Sequence, residues 1–382
     1  MNGIAVIIGL LLLFMAVPDA CRRLGRPALV FPAFVLFGAG LGFVIDDEVT
    51  TMLEQAGHIG FLLLLFEVGL EIDLPRLREF LPPLRHAFIW AGIQYPVAGL
   101  AAWHAGLNPA QSFLAAAALT GCSVSMAHAA WKSYPLGPAS ARRFVLHVMV
   151  GLEMLAIVVM AVGTTALKEG FSPWILARLA GIGVAVFVLA RYAAHLARMF
   201  QHVIDHTTHW RLHWLALLVL AICAVGQRLG LDAAKTAFVL GLCLSRARHH
   251  GMNLEAHLAP LSQRFLIPIF FVSLGLSLEW KNLTVTAVGL AIGTAGLLLG
   301  IREVLHRRWL PTGGSGPAFL LLSPNLTMVA LAANALITHG QAHGAAAWLI
   351  LTGLCITVPA IALLPAPAQT TSAAAAPPPT AP

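Results

Sequence analysis

Charge is what this chain has least of. Only 10% of its 382 residues are Asp, Glu, Lys or Arg, against about 25% in an ordinary soluble domain. No water-facing surface of this size can be built from so few charges, so a water-soluble fold is excluded. Cysteine is also sparse. The five (Cys21, Cys122, Cys223, Cys243 and Cys355) are scattered and form no CxxC pair. That argues against a disulfide scaffold or a zinc ribbon and for small core residues. No HExxH, GxSxG, GxGxxG or Walker sequence occurs. Metalloprotease, serine hydrolase and ATP-driven chemistry therefore have no support, and neither an enzyme nor a cofactor is expected. The sixteen histidines include His249-His250 and a group from His202 to His213 in basic loops, where solvated side chains are the ordinary reading.

What the chain has in abundance is hydrophobicity, 59% of residues with a mean hydropathy of +0.83. That composition predicts an all-α polytopic membrane protein. Thirteen apolar segments are long enough to cross a bilayer at about 20 residues each. They span roughly 3–19, 27–45, 56–73, 83–105, 109–133, 142–167, 172–199, 211–229, 231–248, 262–279, 283–308, 316–338 and 343–364. The first has no basic region before it and no small-residue cleavage site, so it reads as a retained helix. The stretch from 365 to 382 is uncharged and rich in Ala and Pro, and it reads as a disordered tail after a membrane domain of residues 1–364.

The formal charge of +7 needs no nucleic-acid partner, because the basic residues alternate along the chain. Odd-numbered connections carry Arg22, Arg23 and Arg26; Arg76, Arg78 and Arg85; Lys132, Arg142 and Arg143; Arg198 and Arg211; Arg246, Arg248 and Arg264; then Arg307 and Arg308. Even-numbered connections are acidic or nearly neutral. The positive-inside rule makes the odd connections cytoplasmic. The N-terminus then lies outside and, after thirteen crossings, the C-terminus lies inside.

Polar residues within the spans are the functional candidates. Glu153 sits in the middle of the apolar run from Phe144 to Leu167. A carboxylate there costs roughly 3 kcal/mol or more, so it faces protein or water and is a candidate ion or proton site. A Glu paired purely for packing is the plain alternative. Glu67 and Glu71 share one face of the third segment, four residues apart. Glu71 lies near Arg76 and Arg78, where a surface pair is equally good, and Glu67 lies deeper. The run Thr120-Gly121-Cys122-Ser123-Val124-Ser125 places small and hydroxyl residues inside the fifth segment. Either two helices pack closely there or the helix breaks to free backbone groups for an ion. Ser323-Pro324-Asn325 interrupts the twelfth segment, because Pro removes a backbone donor and disfavours helix before it. Two interrupted segments, one per half, point to an inverted-repeat transporter with its site where they meet. Lys235 and Arg302 are basic residues set within spans. Each can anchor at an interface or act as a fixed counter-charge.

Three stretches resemble a known family. FLLLLFEVGLEIDL (61–74), GLDAAKTAFVLGLCLS (230–245) and FLIPIFFVSLGLSLEW (265–280) are similar to signatures of the monovalent cation:proton antiporters, second branch, in the sodium/hydrogen exchanger superfamily. The resemblance runs from about residue 5 to 364. It implies two crossed broken helices in the fifth and twelfth segments, an elevator-like antiport mechanism and a homodimer in a bacterial inner membrane. It places Glu153 at the family's ion-binding aspartate, Arg302 at its basic residue, and Thr120 to Ser123 at the hydroxyls of the first crossing helix. The chain departs from the pattern at Leu152, where a polar residue is usual, and at Glu67 and Lys235, where apolar or small residues are usual. The expectation is that Glu153 binds a proton or a monovalent cation (Na⁺ or K⁺), with Thr120, Ser123 and Asn325 adding oxygens. A non-transporting sensor or subunit, or a symporter of a small anion, is the alternative.

Overall fold

The computed structural model describes residues 3–71, 77–134, 138–169, 211–228, 233–245, 261–278, 284–309, 317–338 and 343–364. The segment expected at 172–199 and the tail from 365 to 382 lie outside them. The described residues form helices α1 (Gly3–Arg23), α2 (Val30–Leu41), α3 (Asp47–Glu71), α4 (Leu77–His104), α5 (Pro109–Thr120), α6 (Val124–Ser133) and α7 (Ala139–Glu169). Then follow α8 (Arg211–Arg228), α9 (Ala233–Ser245), α10 (Ile267–Leu276), α11 (Val285–Trp309), α12 (Leu326–Thr338) and α13 (His343–Leu363). A turn of π-helix, Ser262–Leu266, leads into α10, and a 3₁₀ stretch, Ala318–Leu322, precedes α12.

The pattern of burial is that of a protein in lipid. On α1, Val6, Leu10, Phe14, Val17 and Cys21 are buried at helical spacing, while Ile7, Leu11, Leu12 and Met15 are about half exposed or more. Both faces are apolar, so the outer one is suited to acyl chains and not to water. Among the described residues, five stretches are long and apolar enough to cross a membrane: Glu48–Leu70, Ala139–Leu167, Val285–Arg308, Ala318–Thr338 and Gly344–Leu363.

The helices fall into two groups. In the first, α3 packs on α9 and α10, and α10 packs on α2. Glycines set the spacing here. A Cβ at Gly38 would strike the Val272 carbonyl, one at Gly275 the Val35 carbonyl, and one at Gly241 the Phe66 carbonyl. Backbones therefore meet directly, which small residues permit in membranes, where tight packing replaces the hydrophobic effect as the force between helices. Glu67 belongs to this group. It is buried, and its carboxylate accepts from the Ser262 hydroxyl and from Gln263 Nε2 at 3.2 Å, pinning α3 to the π-helical turn.

In the second group α4, α5 and α7 pack on one another, α11 packs on α4 and α13, and α12 packs on α5 and α13. Helix α5 starts sharply. The Asn108 side chain accepts from the Gln111 amide at 2.9 Å while Gln111 Oε1 accepts from the Asn108 amide at 2.8 Å, with Pro109 next. This reciprocal cap satisfies two donors that a helix start leaves open. Helix α7 has 31 residues, roughly 46 Å at 1.5 Å each, which exceeds the hydrocarbon thickness of about 30 Å.

Candidate functional site

Both interrupted segments are broken where the sequence indicates, and they meet. Helix α5 stops at Thr120 and α6 restarts at Val124, with Gly121 to Ser123 extended or irregular between them. The 3₁₀ stretch stops at Leu322 and α12 restarts at Leu326. The Ser123 amide donates to the Pro324 carbonyl at 2.7 Å. The Ser123 hydroxyl lies 2.6 Å from that of Thr327, and the Cys122 thiol is 3.5 Å from the Leu321 carbonyl. Every residue in these contacts is buried. The first half of the second interruption is 3₁₀ helix, not the α-helix expected.

Each break leaves a carbonyl end with a partial negative charge. Arg302 reaches both. Its Nη2 donates to the Leu119 carbonyl at 2.6 Å, its Nη1 to the Ser323 carbonyl at 3.2 Å, and its Nε to Gln94 Oε1 at 2.8 Å. The guanidinium is fully buried. Arg suits this position because its rigid planar fork carries donors on three nitrogens and so reaches separated acceptors, whereas an ammonium offers its donors from a single point. Asn325 ties the knot further. Its Nδ2 donates to the same Leu119 carbonyl at 2.8 Å, its amide donates to the Thr357 hydroxyl, and that hydroxyl donates to its Oδ1, both at 3.1 Å. With the carbonyl ends held by Arg302 and Asn325, the helix starts at Val124 and Leu326 carry the remaining partial charge, which is positive and favours an anion.

The anion at hand is Glu153. It is 1% exposed and lies within electrostatic reach of Cys122, as Arg302 does. Helix α7 touches the first break directly. A Cβ on Gly121 would stand 2.8 Å from Cβ of Ala156, one helical turn from Glu153. Gly121 is therefore glycine because α7 passes too close for a side chain.

The structure thus gathers Glu153, Thr120, Ser123, Asn325 and Arg302 around one crossing. The Thr120 hydroxyl donates to the Ala116 carbonyl of its own helix at 2.8 Å, which leaves its oxygen lone pairs available. Leu152 is buried and adds no polar atom beside the carboxylate. Glu67 lies in the other group of helices. Glu71 ends α3, and its side chain, like that of Lys235, lies outside what is described. Buried Ser323 and Thr327 join the crossing from within the interrupted run, and two more buried residues there, Gln94 and Thr357, escape a reading of the sequence. Gln94 had a signal, being the one amide in the apolar run of α4.

A second polar feature lies between the two groups. A cleft of about 200 Å³ is lined by Glu54 and His58 of α3, Ser273 and Ser277 of α10, and Asn334 and Thr338 of α12, with apolar residues between. Helix α12 joins it to the crossing.

A buried carboxylate beside two crossed half-helices in an all-helical membrane protein is an arrangement typical of secondary carriers. The chain belongs to the sodium/hydrogen exchanger family, whose transmembrane profile matches residues 9–361. It is 22% identical over 282 residues to "Probable Na(+)/H(+) antiporter 3" of Methanocaldococcus jannaschii, covering 70% of this chain and 69% of the relative. It is 27% identical over 310 residues to the glutathione-regulated potassium-efflux system protein KefC of Salmonella paratyphi B. That match covers 73% of this chain and 48% of KefC, so the chain spans about half the length of that relative. The solved structure of the sodium proton antiporter MjNhaP1 from M. jannaschii shares the fold, with a TM-score of 0.68 and 15% identity, covering 95% of this chain and 96% of that one. These relatives are transporters, not enzymes.

Proposed function

We propose that this protein exchanges a monovalent cation for protons across the membrane, with Glu153 binding each in turn. The observation that carries this reading is a buried carboxylate set against a crossing whose carbonyl ends are already occupied by Arg302. A proton or a cation on Glu153 neutralises it equally well, so the two compete for one site. Thr120, Ser123 and Asn325 supply further oxygens to the cation. Na⁺ and K⁺ both fit hard oxygen donors, and the relatives' names include both ions. The polar cleft along Glu54 and His58 supports a wet route to the crossing. The division into two helix groups supports a carrier in which the site-bearing group moves against the glycine-packed one. We place the protein as a homodimer in a bacterial inner membrane with its N-terminus outside. The basic helix ends at Arg22-Arg23 and Arg307-Arg308 support that orientation. A non-transporting sensor is less favoured, because the family and the antiporter relatives this chain matches are transporters.

The test is a pH-gradient assay in proteoliposomes given Na⁺, K⁺ or Li⁺ in turn. One cation should collapse the gradient with wild type and none with Glu153→Gln, while the variant stays monodisperse. Unchanged exchange by Glu153→Gln would overturn the assignment.

A further inference from the structure

Helix α11 presents a second face, turned away from Arg302, that the transport site does not use. Gly296, Gly300, Val304 and Arg308 recur every four residues along it, with Leu297, Ile301 and Leu305 beside them, and helical geometry puts all seven on one side. With Ile93 of α4 they line a cavity of about 660 Å³, within the range of roughly 300–1,000 Å³ usual for ligand pockets. The groove exists because Gly296 and Gly300 carry no side chain, and a Cβ at either would meet nothing within 4 Å. Its only charged lining residue is Arg308 at one end. Neighbouring Arg307 pairs with Glu303, whereas Arg308 has no ion-pair partner among the described residues.

We propose that this groove holds one anionic phospholipid, with an acyl chain along Gly296 to Val304 and the headgroup phosphate on Arg308. Length supports this. Gly296 to Arg308 is twelve residues, roughly 18 Å, close to the depth of one leaflet when the hydrocarbon core is about 30 Å. The charge also fits, since basic pockets between helices at a membrane surface recruit anionic headgroups, and a guanidinium can hold phosphate oxygens two at a time. A second copy of the chain fits less well. A two-fold axis along the membrane normal would set Arg308 at the same depth as its mate, placing like charges together.

Native mass spectrometry of the full chain in detergent tests this, with phosphatidylglycerol and phosphatidylcholine added in equal amounts. Wild type should retain phosphatidylglycerol over phosphatidylcholine by roughly fivefold, the scale of one basic residue at an anionic surface. Arg308→Gln should bring that ratio near one, and Arg307→Gln should leave it unchanged. Gly300→Leu and Gly296→Leu start their side chains in open space, so each should cut the adducts of both lipids several-fold. The proposal is overturned if wild type shows no preference or if the preference survives Arg308→Gln. It is equally overturned if the leucine variants leave lipid adducts intact and change the oligomeric mass, which would make a second copy the occupant.

Discussion

Removing the Arg302 guanidinium should loosen the crossing itself. In Arg302→Ala the Ser323 carbonyl and Gln94 Oε1 lose the donors at 3.2 and 2.8 Å. The Leu119 carbonyl keeps only Asn325 Nδ2. A buried acceptor left without its donor costs about 1–3 kcal/mol, so two of them place the loss near about 4 kcal/mol. At roughly 2–4 °C per kcal/mol for a large domain, the melting temperature in detergent should fall on the order of 10 °C. Arg302→Lys keeps the charge without the planar fork and should fall about half as far. Thermal unfolding followed by tryptophan fluorescence gives the magnitude. The labelling rate of Cys122, fully buried between the two breaks, reports whether the loss is local. Were Arg302→Ala to melt within about 2 °C of wild type with Cys122 still unreactive, the guanidinium would not be what holds the half-helices together, and the electrostatic reasoning for Glu153 would fail with it.

Two further outcomes follow from named contacts. Gly121→Val drives its side chain into Ala156 and Met328. It should cost about 1–3 kcal/mol by overpacking and depress transport at least tenfold in the proteoliposome assay, since α7 and the break move apart. Glu67→Gln keeps one carbonyl oxygen for Ser262 and should leave exchange measurable with a melting temperature within a few degrees of wild type. Glu67→Leu strips both hydrogen bonds and should melt clearly lower, with the cation selectivity of exchange unchanged.

Much of the site is legible in the sequence, for reasons of membrane energetics. A glutamate in a long apolar run, a proline-amide pair and a cluster of small residues are each costly or odd in lipid, and all three converge on the crossing. The parts that stay hidden depend on who meets whom. Arg302 reads as a counter-charge or an interface anchor, and only its contacts show that backbone carbonyls are what it grasps. Thr357 looks like any membrane threonine until Asn325, 32 residues away, is seen to need it. Spacing cannot separate Glu67 from the crossing, because its partners Ser262 and Gln263 lie 195 and 196 residues downstream. The π-helical turn and the 3₁₀ stretch likewise escape apolar periodicity, which marks a span but not its hydrogen-bond register.

The Leu119 carbonyl is satisfied by Arg302 and Asn325, which lie 183 and 206 residues further along the chain. During synthesis at roughly 5–20 residues per second, neither partner exists for about 10–40 s after the fifth segment has been made. An interrupted helix cannot sit bare in lipid for that time, because its orphan carbonyls have no donor. The 109–133 segment therefore enters the bilayer either as one continuous helix or under the cover of the insertion machinery. If it enters as one helix, the break opens only when Arg302 and Asn325 arrive to hold it. A chain cut short before Arg302 would leave the first half-helix without either donor that holds its carbonyl end.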